Sequence, residues 1–273
     1  MHPNIRDRAV TTSAASQQLH RHDFRNALVL LLASALMLTV LNQYTDIDLW
    51  FADLHFDREH HRFPWQHTWF SVTLMHGYVK SVLVWSGLLI IAGALLDLVL
   101  TSCRLPSFPL SPLHRAQLRV LALAALLEPR LVKTIKDYNY LQCPWSVDRY
   151  TGSEPLLRIL DAVPSGMQVS DCFPAGHASV GMWLVTIAVF WLPHDRRKAL
   201  YAGLAGLSVG LVLGWVQQMR GAHFITHTLW TAWIAVAVAV VLVAAFSRQL
   251  RTSARGSVEP ASVPTSACLS ASR

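Results

Sequence analysis

The sequence predicts an all-α protein, a bundle of six transmembrane helices with both chain ends on the cytoplasmic side. Three observations lead there. Apolar residues make up 53% of the 273-residue chain and charged residues only 14%, against about a quarter charged in soluble domains. The apolar residues gather into long uncharged windows, each near the ~20 residues that cross a bilayer. Basic residues collect unevenly between those windows, as they do where positive charge sets membrane orientation.

Taken in order, residues 1–25 are polar, with Arg6, Arg8, Arg21 and Arg25, and read as a disordered cytoplasmic N-terminus. This stretch is too long for the start of a cleaved signal, so the first apolar run, 26–45, reads as an uncleaved span. The second span is 81–96, ending near Asp97. A Pro-containing loop at 102–119 follows, with Arg104, Arg115 and Arg119. The third span, 119–136, is interrupted by Glu128, Pro129 and Arg130, and Glu128 is expected to pair with Arg130 inside the bundle. The remaining spans are 177–192, 199–219 and 228–247. Residues 248–273, rich in Ser, Ala and Pro, read as a disordered cytoplasmic tail, which leaves 26–247 as the membrane domain.

Orientation follows from the basic residues. Arg6 to Arg25, Arg104 to Arg119, the Arg196-Arg197-Lys198 cluster and Arg248, Arg251 and Arg255 fall on one side, which is therefore cytoplasmic. Segments 45–80, 136–176 and 220–227 then face the opposite compartment. The net charge of +7 is spread over helix ends and serves topology, so no nucleic-acid partner is implied. The first outer segment carries Trp50, Phe51, Phe56, Phe63, Trp65, Trp69 and Phe70, the composition of a helix lying in the headgroup layer. Its His55, His60, His61 and His67 lack the Cys or carboxylate spacing of a metal site.

Three outer segments concentrate groups suited to phosphate: Lys136 with Cys143-Pro144-Trp145 seven residues on, Phe173-Pro174-Ala175-Gly176-His177, and Arg220-Gly221-Ala222-His223-Phe224-Ile225-Thr226-His227. Phosphoryl transfer needs cations and N–H groups on the equatorial oxygens, an in-line nucleophile and an acid for the leaving oxygen. Ala175 and Gly176 at a helix start offer backbone N–H groups, Lys136 a point charge and Arg220 a guanidinium fork. His177 and His223 offer acid and nucleophile. His76 and Lys80, one turn apart at the outer end of the second span, suit a headgroup contact.

These segments resemble the motifs of the type 2 phosphatidic-acid phosphatase superfamily: Lys-x6-Arg-Pro, Pro-Ser-Gly-His and Ser-Arg-x5-His-x3-Asp. Order, spacing and helix placement agree from about residue 26 to 247, in a divergent bacterial membrane branch near lipid A phosphatases. The resemblance implies that Lys136 binds phosphate, His177 is the general acid, and His223 forms a phosphohistidine that water later hydrolyses. It implies a metal-independent phosphatase with no cofactor, acting on a phosphorylated envelope lipid (lipid A, a polyprenyl diphosphate or a phosphatidate) at the periplasmic face of the inner membrane. The departures are specific. Cys143 stands where the first motif has Arg, and Ala175 where the second has Ser. Gln217 stands at the third-motif Arg position, with Arg220 nearly one turn further on. His227 stands where the orienting Asp would be and is expected to orient His223 in its place.

Of the four cysteines, Cys103 and Cys268 fall on the reducing side, while Cys143 and Cys172 share an oxidising outer loop and each precedes a site motif. Convergence of those motifs on one phosphate would bring Cys143 and Cys172 within bridging reach, and a disulfide is expected. Two other chemistries fit the same residues. His223 and His227 have the i, i+4 spacing of a zinc pair, with His177 as a third ligand of a membrane hydrolase. A lipid phosphotransferase would use the same phosphohistidine and pass the phosphoryl group to another lipid. A transporter would want broken helices and polar groups at depth, where only Glu128 and Arg130 lie.

Overall fold

The computed structural model describes residues 5–192 and 194–256, and among them the chain is helical with no named strand. The first helix, α1, runs Ile5–Tyr44 with neither Pro nor Gly to break it. Its backbone is therefore helical through most of the stretch whose composition suggests disorder. Leu28, Val29, Leu30, Leu32 and Leu36 stay exposed on it, as residues facing hydrocarbon would. The short α2, Ile47–Asp53, follows at once. A π-wound stretch, Phe70–Val79, leads without a break into α3, Lys80–Ser102. The helix α4, Pro112–Lys136, begins at Ser111, whose hydroxyl caps the His114 N–H, with Pro112 at its first position. Gly176–Met182 forms α5, which tightens into a 3₁₀ segment at Trp183–Phe190. Asp195 caps α6, Arg196–Met219, and α7 spans Ile225–Ala245. Ser247–Gly256 is a last helix, α8, in a region also expected to be unstructured; residues 257–273, with Cys268, lie outside the described part.

Four of these helical stretches are long and apolar enough to cross a membrane: His22–Tyr44, Phe70–Ser102, Arg196–Met219 and Ile225–Ala245. The other two expected spans differ. Gly176–Phe190 is apolar but shorter. The helix α4 carries Arg115, Arg119, Glu128, Arg130, Lys133 and Lys136, which leave it without a long uncharged window. It packs on α3, α5, α7 and α8, while Leu126, Leu127 and Leu131 stay exposed. One face buries Leu113, Ala116, Gln117, Val120, Ala124, Glu128 and Val132 at helical spacing. The expected Glu128–Arg130 pair does not form. Glu128 is buried with both oxygens unpartnered among the described residues, while Arg130 is exposed on the opposite face.

The seam between α5 and α6 is built from backbone. Gly206 and Gly210 lie one turn apart on the face of α6 that meets α5 and its 3₁₀ continuation, while Gly214, one turn further, meets Thr228 of α7. A Cβ at Gly206 would run into the Leu184 carbonyl, and one at Gly210 would lie 2.7 Å from the Ala178 carbonyl. Small residues at this spacing let two helices touch main chain to main chain.

The first outer segment is more than an interfacial helix. Trp50 and Trp69 are exposed, but Phe63 is 2% exposed and packs with Val147, Tyr150 and Phe224 in a small core of its own. Arg158 pins the long outer loop to the end of α1. Its guanidinium donates to the carbonyls of Asn42, Gln43 and Thr45 and pairs with Asp46 at 2.6 Å. Those are carbonyls that a helix C-terminus leaves without partners.

Candidate active site

The three motif segments meet, and each pair is directly linked. The Cys-Pro-Trp segment joins the Arg-Gly-Ala-His turn through Trp145 N–H donating to the Gly221 carbonyl at 3.0 Å. It joins the Phe-Pro-Ala-Gly-His segment through a disulfide between Cys143 and Cys172, whose Cα atoms are 5.2 Å apart. That second segment joins α7 through Ala175 N–H donating to the His227 carbonyl at 3.2 Å. The turn into α7 depends on Gly221, whose φ of +73° disfavours any side chain. A Cβ there would also meet the Phe63 ring at 2.5 Å.

The first turn of α7 is held from α2. Asp48 accepts from Thr226 N–H at 2.9 Å, from the Thr226 hydroxyl at 2.6 Å and from Asn42 at 2.9 Å. Burial pushes the Asp48 carboxyl above the ordinary carboxylate range, opposed by these hydrogen bonds and by Arg158. A carboxylate at a helix N-terminus also meets the positive end of the helix dipole. The result is a fixed frame for the two histidines of the third motif.

Both imidazoles hang on one main-chain oxygen. The Nδ1 atoms of His223 and His227 lie 2.7 and 2.9 Å from the Cys172 carbonyl. A carbonyl only accepts, so in the neutral rings Nδ1 carries the proton and Nε2 keeps a lone pair. His227 makes no described hydrogen bond to His223; their ring centroids are 6.0 Å apart. The acceptor that orients His223 is thus the Cys172 carbonyl, rather than the side chain at position 227. Burial holds the His223 imidazole well below the ordinary histidine range; His227, Lys136 and His177 push the same way, and the Cys172 carbonyl opposes them.

Around His223 stand the remaining groups. His177 has its ring 6.3 Å from that of His223. Both His177 nitrogens are buried and unpartnered among the described residues. The Lys136 ammonium, 12% exposed as a side chain, lies 3.6 Å from Asp171. It sits 3.3 Å from where a Cβ on Gly176 would be, so the glycine leaves room for the cation over the start of α5. Ala175 N–H, expected to serve substrate, is taken by the His227 carbonyl. Arg220 donates to the Gln66 carbonyl at 3.2 Å, Gln217 Oε1 at 2.8 Å and His76 Nδ1 at 3.1 Å. The His76 ring lies 4.2 Å from that of His177.

Sequence reasoning missed Asp48, Asn42 and the Cys172 carbonyl. Asp48 lies 178 positions from the residue it caps, and a carbonyl has no signature in a sequence. Among the described residues, no group of three His, Cys, Asp or Glu side chains is arranged to hold a metal ion.

The described residues form a helical protein with four apolar helices of membrane length, and two histidines, a lysine and an arginine gather at the helix ends described above. A PAP2 superfamily profile matches residues 117–251, about half of the chain, from α4 to α8. The chain belongs to the PAP2 superfamily, whose members are phosphatases acting on phosphate esters. No curated protein and no solved structure matches closely enough to narrow the substrate.

Proposed function

We propose that this chain is a lipid phosphatase of the bacterial inner membrane, with six spans, both termini cytoplasmic and the site facing the periplasm. It hydrolyses a phosphomonoester or diphosphate of an envelope lipid through a phosphohistidine on His223. The observation that carries the reading is the fixed tautomer of His223. With Nδ1–H on the Cys172 carbonyl, the Nε2 lone pair is the free one.

Lys136 takes the equatorial oxygens and offsets the charge that develops on them, while Arg220 faces the substrate from the His76 side of His177. His223 Nε2 forms a bond to phosphorus as the bond to the leaving oxygen breaks. His177, its nitrogens without protein partners, delivers a proton to that oxygen. The neutral His177 then takes a proton from water as the water attacks the phosphohistidine, which releases phosphate and restores His223. The excess of basic residues in 102–119, 196–198 and 248–255 supports the orientation.

Labelled substrate, quenched in alkali where a phosphohistidine survives, tests this. Label should appear on the wild type, persist longer in His177→Ala and be absent from His223→Ala. Either substitution should lower turnover by ~10²–10⁴. Near-normal turnover in either variant refutes the assignment. Label passing to a second lipid in place of free phosphate would make the enzyme a phosphotransferase.

A further inference from the structure

His177 stands between two groups of cations. On the nucleophile side is Lys136, whose ammonium lies over Gly176 at the start of α5. On the other side, Arg220 donates to His76, and the His76 ring lies 4.2 Å from that of His177. Lys80 is one turn beyond His76 at the start of α3, so the two share a helix face. The Lys80 charge is close enough to be felt at both His76 and His177. It has no ion-pair partner among the described residues. Arg220 is satisfied by neutral acceptors only, Gln66, Gln217 and His76, so its charge is uncompensated by protein.

Two cations without counter-ions, half-buried beside an unpartnered imidazole, call for an anion. The attacked phosphate lies near His223 and Lys136. The group His177 protonates, the leaving group, therefore faces His76, Lys80 and Arg220. An alcohol leaving group would bring no negative charge to that side.

We propose that His76, Lys80 and Arg220 form a second anion subsite on the leaving-group side of His177, built to hold the inner phosphate of a diphosphate ester. This rests on His223 as nucleophile and His177 as acid. In the step it implies, His223 Nε2 bonds to the terminal phosphorus. The bond from that phosphorus to the bridging oxygen breaks, and its electron pair stays on the oxygen. The product phosphomonoester keeps that oxygen, takes the proton from His177 and remains against Arg220 and Lys80. Water then frees the terminal phosphate from His223, so one diphosphate and one water yield a monophosphate ester and inorganic phosphate. Because His76 accepts from Arg220 through Nδ1, its neutral ring carries its proton on Nε2, the nitrogen with a donor left for the substrate.

The test is a pair of substrates, a prenyl diphosphate and the matching prenyl monophosphate in the same detergent. Wild-type enzyme should favour the diphosphate in kcat/KM. Lys80→Gln and His76→Asn should each lose about tenfold more on the diphosphate than on the monophosphate, as expected for a lost charged contact. The ratio is read within each variant, so partial misfolding cancels. Equal losses on both substrates, or a wild-type preference for the monophosphate, overturn the subsite and leave the phosphatase reading standing. Release of phosphate from neither substrate overturns both.

Discussion

Replacing Cys143 with serine, or reducing its bridge to Cys172, should lower turnover far more than substrate affinity. The bridge closes a loop with a sequence separation of 29, and the chain-entropy model assigns such a closure about 3.6 kcal/mol. That term concerns stability alone. The catalytic consequence comes from the Cys172 carbonyl, which lies 2.7 and 2.9 Å from the Nδ1 atoms of His223 and His227. Each neutral hydrogen bond is worth about 1 kcal/mol net. A nucleophile displaced by about 1 Å, however, costs up to ~10² in rate. Lys136 and Arg220, which on the proposed reading hold the substrate, sit at the ends of α4 and α6 and should keep their places. Opening the bridge should therefore reduce kcat by ~10–100-fold with KM changed less than about threefold. The assay is phosphate release over a dithiol titration, with thiol alkylation and mass spectrometry reporting the fraction opened. A helical circular-dichroism signal confirms that the protein remains folded, and reoxidation should restore the rate. Full alkylation of both cysteines with kcat unchanged would refute the reasoning.

Three further outcomes follow from the same geometry. His227→Asp should lower activity, because a carboxylate cannot donate to the Cys172 carbonyl and the site is 1% exposed; His227→Asn, whose amide can donate, should retain more, and an Asp variant as active as wild type counts against this. Gly221→Ala should destabilise by at least ~1–2 kcal/mol from the left-handed backbone alone, with the Phe63 contact added, and a melting temperature equal to wild type would contradict it. Burial lowers the His223 pKa, so its lone pair persists as pH falls below the ordinary value of about 6.5. The acid limb of kcat/KM should have its midpoint below that value, and a midpoint at or above it would show His223 to be unperturbed.

The architecture was legible where chemistry is repetitive. Long apolar windows announce helices, and α1, α3, α6 and α7 appear where those windows are. The two stretches that fall short of membrane length or apolarity do so for readable reasons. The charges of α4 interrupt its apolar window, and α5 tightens into a 3₁₀ segment at Trp183. The site residues Lys136, His177, Arg220 and His223 were legible because phosphoryl transfer demands their types near helix ends. Their supports were not. Asp48 reaches Thr226 only after the whole bundle has folded, and the partner of His223 is a main-chain oxygen that any residue could supply. Position 227 shows the cost of carrying a role over by alignment. The side chain is in the right place, and its Nδ1 lies 2.9 Å from the Cys172 carbonyl that His223 also meets.

The backbone-to-backbone seam of α5 and α6 also bears on how a hydrophobic substrate reaches the histidines. Helices whose glycines press directly on the neighbour's carbonyls leave no lateral gap for a hydrocarbon chain. If the substrate is the lipid proposed above, a tail entering from the bilayer would use a different flank. The flank on which α3 begins, beside His76 and Lys80, presents exposed Tyr78, Val82 and Trp85 to the surroundings. A tail lying along that face would deliver its phosphate end first to Lys80 and His76 and last to His223. For such a substrate the glycine seam would act as a wall, with the side of the bundle it closes deciding the direction of approach.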